Sequence, residues 1–293
     1  MTALDKLKEV SAFLKPQGIE DAAKEAEILI TETLRISKSK LYAGSFEISE
    51  AESKQIDSLA SRRARREPLQ YILGFVEFHG LKIKVGKGVL IPRPETELLA
   101  EEVIRAVESY KLKVNSEKLK VLDLCTGSGC LALAIAKHFP DAEVYGTDIS
   151  KEAIRYANEN AELNIIRNVT FLKGSLFEPL SQLLTHNSSL LTFNMIVSNP
   201  PYIRSGDMPK LQPEINKWEP GNALDGGGDG LSYYRTILSD VRGYLMTSGV
   251  IFLEIGEGQA EEVSVVAMQN GFCNISVIKD YAGIERIVAV QAL

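Results

Sequence analysis

The chain has 293 residues, a formal net charge of −6, 45% hydrophobic residues and 25% charged ones. That length predicts about two domains, and that composition a packed core. An acidic balance argues against tight nonspecific binding to nucleic acid, which needs a basic face, and no apolar run is long enough to span a bilayer.

Cys125, Cys130 and Cys273 form no C-x-x-C pair, so neither a zinc site nor a disulfide framework is expected, and a reducing cytoplasm fits. The opening MTALDKLKEVSAFL is peppered with charge and lacks the apolar stretch of a signal peptide. Leu4, Leu7, Val10 and Leu14 recur at helical spacing. Ala22, Ala26, Leu29, Ile30 and Thr33 do so again after a break at Pro16-Gln17-Gly18. Ser49-Glu50-Ala51-Glu52 is a capping box that opens a third helix through Ile56, Leu59 and Arg63, which Pro68 closes. A helical domain is therefore expected over residues 1–74, its apolar stripes facing inward. Arg62-Arg63-Ala64-Arg65-Arg66 is a basic cluster, but residues 1–75 balance twelve Lys/Arg against twelve Asp/Glu. It reads as the solvated face of a helix end.

Phe78, Leu81, Ile83 and Val85, around His79-Gly80, change the period and predict a hairpin, with residues 75–89 linking two domains. Ile91-Pro92-Arg93-Pro94-Glu95-Thr96 is a stiff lead into a helix. From Leu119 the pattern alternates. Val121–Leu124, EVYGTDIS, NVTFLKGSL, FNMIVSNPPY and GVIFLEIG read as strands, with helices at Leu131–His138 and Lys151–Leu163. The tail reads as two strands joined by a turn at Asp280-Tyr281-Ala282-Gly283. Such alternation predicts an α/β domain over residues 90–293, with a mostly parallel sheet closed by an antiparallel strand. His79, His138 and His186 do not cluster in sequence and are given no role.

Two stretches carry chemistry. In VLDLCTGSGC a strand runs through Cys125-Thr126-Gly127-Ser128-Gly129 into a helix. Glycines let the backbone turn tightly and approach a ligand, and the helix N-terminus leaves N–H groups unpaired. Asp148 ends the next strand, 19 residues past Gly129, where a carboxylate can accept hydrogen bonds from ribose hydroxyls. A nucleoside-containing cofactor follows. Gly127-Ser128-Gly129-Cys130-Leu131-Ala132 also satisfies the alanine variant of the dinucleotide motif, so this loop alone does not separate NAD from S-adenosylmethionine.

The second stretch is Ser198-Asn199-Pro200-Pro201-Tyr202, at the end of another strand and on the same carboxyl edge. It suits transfer to an amide or aryl amine nitrogen, whose lone pair is delocalised. The Asn199 carboxamide oxygen accepts one N–H and the Pro200 carbonyl the other, which aims the lone pair at a methyl sulfonium. Paired prolines, Pro200 and Pro201, stiffen that carbonyl, and Tyr202 offers a flat face for stacking. This second stretch favours S-adenosylmethionine, and no metal is called for.

With both stretches in place, the chain resembles the class I S-adenosylmethionine-dependent methyltransferases that modify the glutamine side chain of peptide-chain release factors. PLQYILG (Pro68–Gly74), LIPRPETELL (Leu90–Leu99) and EPGNALDGGGDGLSYYR (Glu219–Arg235) are similar to further family stretches, in family order. The resemblance implies a Rossmann-like fold, N5-methylation of the glutamine in a Gly-Gly-Gln motif, and a helical domain that recognises the protein substrate. It also implies release factors as partners, and a monomer without direct contact with nucleic acid or membrane is expected. It places Arg93 and Glu95 near the cofactor. The family's loop usually begins with glycine where this chain has Cys125, and often has an adenine-stacking aromatic where Leu176 aligns, next to Phe177. Cys125 is not expected to be a nucleophile, since nothing in the motif activates it. Asp225–Gly230, with four glycines in six residues, reads as a mobile loop. LSQLLTHNSSLLTF (Leu180–Phe193) reads as a surface insertion.

N-P-P-Y also occurs in nucleic-acid amino-group methyltransferases, and an adenine or guanine acceptor, flipped from a duplex, remains an alternative. An adaptor that binds cofactor without turnover is a second one.

Overall fold

The structure is a computed structural model, and it describes residues 1–111, 118–183 and 191–292. The chain divides into two units, Met1–Phe75 with Gln212–Trp218, and Val76–Leu211 with Glu219–Leu293.

The first unit is built from α1 (Ala3–Leu14), α2 (Ala22–Leu34), α3 (Lys38–Tyr42), α4 (Glu50–Ala64) and α5 (Leu69–Leu73). The break after α1 is real, with Gly18 in the left-handed region at φ 76°. Ser49 and Glu52 form the expected capping box on α4. That helix stops at Ala64, short of Pro68, which instead caps the short α5. Leu7, Val10, Leu14, Leu29, Ile30 and Ile56 meet in one buried core, the inward stripes of three helices.

The basic cluster is not a solvated face. Arg63 is 5% exposed and donates to both carboxylate oxygens of Glu25 and, at 2.9 Å, to Glu214. Arg66 donates to the other Glu214 oxygen at 2.7 Å, and Arg62 pairs with Glu67. Only Arg65 keeps the exposed character the cluster suggests. Glu214 lies in the segment Gln212–Trp218, far along the chain, so local charge counting cannot find its partners. Arg63→Ala leaves two carboxylates facing each other in a largely dry site. It is expected to lower unfolding free energy by about 3 kcal/mol, against less than about 0.5 kcal/mol for Arg65→Ala, both read by urea denaturation.

The second unit begins within the hairpin of β1 (Phe75–Phe78) and β2 (Leu81–Lys84), whose turn holds His79 and Gly80 at positive φ. Then come α6 (Pro94–Lys111), β3 (Lys120–Leu124), α7 (Cys130–His138), β4 (Glu143–Asp148), α8 (Lys151–Leu163) and β5 (Val169–Lys173). After β6 (Phe193–Ser198) the chain makes α9 (Pro213–Trp218), which belongs to the first unit. It closes with α10 (Ser232–Asp240), β7 (Leu245–Glu254), α11 (Ala260–Gln269), β8 (Asn274–Lys279) and β9 (Glu285–Gln291). Part of the expected insertion, residues 184–190, lies outside the described residues, and so does His186.

The sheet order is β5-β4-β3-β6-β7-β9-β8. Strands β3 to β7 pair in parallel, and β9 runs antiparallel to both its neighbours. Every residue of β6 is buried, as a central strand covered on both faces requires. Cys130 to Ala136 of α7 are all buried too, so this helix shows no polar stripe.

Register is what positions the site. Leu124 pairs with Thr147 and with Ser198, and Ser198 pairs with Leu253. The next residues, Asp148, Cys125, Asn199 and Glu254, therefore stand level across four neighbouring strand ends. Strand order reverses between β3 and β6, the place where open α/β sheets leave a crevice at their carboxyl edge.

Candidate active site

The glycine loop follows β3 with Cys125, Gly127 and Gly129 at φ 58°, 56° and 81°. The two glycines do different work. A Cβ on Gly129 would lie 2.9 Å from the Phe171 ring and 3.0 Å from Ala157 Cβ, so packing against β5 and α8 demands glycine. A Cβ on Gly127 would meet only the Cys125 carbonyl, 4.0 Å away, which leaves bare backbone for a ligand to approach. Cys125 adopts the left-handed conformation despite its side chain, and desolvation pushes its thiol well above the usual range, which disfavours the nucleophilic thiolate.

Two aspartates hold this loop. Asp148 Oδ2 accepts from Gly127 N at 2.9 Å and Oδ1 from Ser150 N at 2.8 Å. Burial raises its pKa, and these two bonds oppose the rise. Beneath, Asp123 accepts from the Thr126 hydroxyl at 2.6 Å and from Ala132 N at 3.2 Å, and burial pushes its carboxyl up to about 7. The buried Asn160 on α8 donates to Ser128 O at 2.9 Å and to Lys84 O at 3.1 Å, tying the loop to β2.

At the end of β6 the Ser198 hydroxyl donates to Leu124 O at 2.8 Å, which clamps the two strand ends together. Asn199 is half-buried and donates from Nδ2 to the Thr96 hydroxyl at 3.1 Å. Pro200 and Pro201 are buried. Tyr202 packs against the core, and its carbonyl accepts from Gln259 Nε2 at 3.1 Å. The glycine-rich run after it is packed against this segment. Gly226 N donates to Ile203 O at 2.8 Å and Ser205 N to Gly227 O at 2.9 Å. Gly226 and Gly230 answer a close approach of backbone from Pro201 and Tyr202. Glu219, from the same stretch, is buried and accepts from Ile91 N at 3.1 Å and from Arg93, so Arg93 braces the loop that leads into α6. Glu95 turns instead to Arg286, 3.8 Å away.

One cleft of about 900 Å³, its open mouth included, gathers most of these groups. Cys125, Thr126, Gly127, Ser128, Asp148, Leu176, Asn199 and Pro201 line it. Gly129, Pro200 and Tyr202 are not in the lining. Thr96, Ile149 and Tyr233 are, and nothing in the local sequence announces Thr96 or Tyr233. Ile149 alone carried a usable signal, a large apolar side chain, 59% exposed, directly after the strand-end aspartate.

The lining fits S-adenosylmethionine. Asp148 is its only charged side chain among the described residues, and no cation stands ready to meet a pyrophosphate. A sulfonium cation suits such a surface. The buried hydroxyls of Ser128 and Thr147, both in the lining, have no hydrogen-bond partner among the described residues. Asp148→Asn withdraws an acceptor from the Gly127 amide and the charge from the lining. It is expected to weaken S-adenosylhomocysteine binding about 10- to 100-fold by calorimetry.

The reversal of the sheet beside a glycine loop and an acid-only lining defines a class I S-adenosylmethionine-dependent methyltransferase. Residues 5–74 match the PrmC N-terminal domain model and residues 115–225 the Methyltransferase domain model. Over 291 residues the chain is 46% identical to the release factor glutamine methyltransferase of Thermodesulfovibrio yellowstonii, covering 99% of this chain and 98% of that protein. The release factor glutamine methyltransferase of Geobacter sulfurreducens is 42% identical, with 94% and 92% covered. The crystal structure of the release factor-specific protein-(glutamine-N5) methyltransferase of Alicyclobacillus acidocaldarius is 30% identical, spans 72% of this chain and 99% of that one, and superposes with a TM-score of 0.42. The chain belongs to the release factor glutamine methyltransferase family.

Proposed function

We propose that this chain transfers a methyl group from S-adenosylmethionine to the side-chain amide nitrogen of the glutamine in the Gly-Gly-Gln motif of peptide-chain release factors. The observation that carries the reading is Asn199, a carboxamide in the lining of the cofactor cleft, level with Cys125 of the glycine loop on the adjoining strand. S-adenosylmethionine supplies an electrophilic methyl group on a sulfonium. The chain's own residues orient the nucleophile. Asn199 Oδ1 accepts one amide N–H of the substrate and the Pro200 carbonyl the other, which turns the nitrogen lone pair out of conjugation and toward the methyl group. Both acceptors gain strength as positive charge develops on nitrogen, so they lower the barrier rather than the ground state. No strong base is needed before that point. Pro201 and Tyr202 wall the acceptor.

Asp148 takes the ribose hydroxyls with the lone pairs that Gly127 and Ser150 leave open. Cys125 to Gly129 pass along the methionine portion, and Leu176 with Ile149 supplies apolar contact for adenine. The helical unit recognises the release factor, and the enzyme works as a monomer without binding nucleic acid. Among the described residues no helix is long and apolar enough to cross a membrane. The test is label transfer to an unmethylated release factor and to the same factor with Asn in place of the Gly-Gly-Gln glutamine. Labelling of the first alone is expected. Equal labelling of both contradicts the reading.

A further inference from the structure

Gln259 stands just ahead of α11 and is 6% exposed. Its carboxamide joins two pieces of the chain. Oε1 accepts from Gly256 N at 2.9 Å, in the turn that follows β7, and Nε2 donates to the Tyr202 carbonyl at 3.1 Å. A backbone N–H can only donate and a carbonyl can only accept, so these two partners leave the carboxamide a single orientation. The Gln259 backbone N–H donates to Gly256 O at 3.1 Å, which closes the same turn.

Two glycines make room for this bridge. A Cβ on Gly230 would lie 2.5 Å from the Tyr202 carbonyl oxygen and 2.8 Å from Gln259 Nε2. A Cβ on Gly256 would lie 2.8 Å from Gln259 Oε1 and 3.1 Å from Tyr202 Cδ2. Gly256 is not in the left-handed region, so its backbone does not call for glycine, whereas the space does.

The stretch that Gln259 holds has few donors of its own. Pro200 and Pro201 bring no N–H, so it is fixed through side chains, carbonyls and its two ends. At the upstream end the Ser198 hydroxyl donates to Leu124 O and Asn199 Nδ2 to Thr96. At the downstream end Ile203 N donates to Leu224 O at 3.0 Å, and Gln259 takes the Tyr202 carbonyl. Gln259 thereby ties this end to the turn after β7, the strand that pairs with β6. We infer that Gln259 is a positioning residue for methyl transfer, which pins Tyr202 and so keeps the Pro200 carbonyl, two residues earlier, in place for the acceptor amide. This rests on the reading of Asn199–Tyr202 as the acceptor segment. An acceptor group that is ordered before the substrate arrives need not be ordered during the reaction, and the benefit falls on the rate.

The test uses the full chain with an unmethylated release factor, and wild-type turnover is measured first. Gln259→Glu keeps the shape of the side chain and an oxygen for Gly256 N, but sets a carboxylate oxygen against the Tyr202 carbonyl. At pH about 8 it is expected to lower kcat about 10- to 100-fold, with KM for the release factor and affinity for S-adenosylhomocysteine within about twofold of wild type. A protonated carboxyl has an O–H to donate, and burial favours that form. The ratio of variant to wild-type kcat is therefore expected to rise as pH falls from about 8 to about 6. Gln259→Met removes both bonds at similar volume and is expected to lose kcat by the same factor at every pH. A flat ratio for Gln259→Glu, or wild-type kcat in Gln259→Met, overturns the inference. Hydrogen exchange of the peptide that carries Tyr202 and Ile203, read by mass spectrometry with S-adenosylhomocysteine present, needs no turnover. Faster exchange in Gln259→Met than in wild type supports the inference. Equal exchange in both overturns it, whether or not the release factor is the substrate.

Discussion

Asn199→Ala is expected to lower kcat about 10²- to 10³-fold while affinity for S-adenosylhomocysteine changes less than about threefold. An amide nitrogen is a poor nucleophile because its lone pair is shared with the carbonyl. Catalysis must hold the nitrogen where that sharing is broken, and on the proposed reading the group that does so is a single carboxamide at the end of β6. Removing it leaves the rest of the cleft lining intact, including Gly127, Asp148 and the apolar residues. The loss therefore falls on the step in which charge develops on nitrogen and not on cofactor binding. Single-turnover rates and calorimetry separate the two. Equal losses in rate and in affinity would mean that Asn199 is only part of the cofactor cradle.

Gly226→Ala is expected to cost about 2–3 kcal/mol of stability and at least about 100-fold in kcat, although Gly226 is not in the lining of the cleft. A Cβ there would lie 2.7 Å from Tyr202 Cα, 2.8 Å from the Pro201 carbonyl and 2.9 Å from the Gly230 carbonyl. All three are backbone atoms, two of them in the proline-stiffened segment, so the acceptor loop must shift. Gly228, two residues on, has nothing within 4 Å of a built Cβ. Gly228→Ala should therefore stay within about 0.5 kcal/mol of wild type with kcat unchanged. Urea denaturation and initial rates on the pair distinguish a packed brace from a mobile lid, because a lid would suffer from both substitutions.

Much of this architecture is legible in the sequence because it is periodic or local. The strand and helix alternation from Leu119 onward, the capping box at Ser49 and Glu52, and the turn at Gly283 each depend on residues within a few positions of one another. The cofactor edge is legible for the same reason. A strand that ends in glycines, followed 19 residues after Gly129 by an acid, has one sensible geometry in a parallel sheet. What the sequence hides are polar contacts between distant segments. Arg63 meets Glu214 across 151 positions, and Asn199 meets Thr96 across 103. Gln259 holds the Tyr202 carbonyl across 57. None of these leaves a period, and each residue alone looks like ordinary surface or strand-end chemistry. The glycines of Asp225–Gly230 mislead for a related reason. Composition reads as mobility, whereas Gly226 and Gly230 are dictated by backbone approaching from Pro201 and Tyr202.

The most direct test of the central claim offers the enzyme an unmethylated release factor and duplex DNA in one reaction, with S-adenosylmethionine carrying a deuterated methyl group. Mass spectrometry then locates the label. The account predicts deuterium on the glutamine of the Gly-Gly-Gln motif and none on DNA. Label on adenine or guanine would keep the chemistry of the cleft but contradict the protein substrate and the recognition role given to the helical unit.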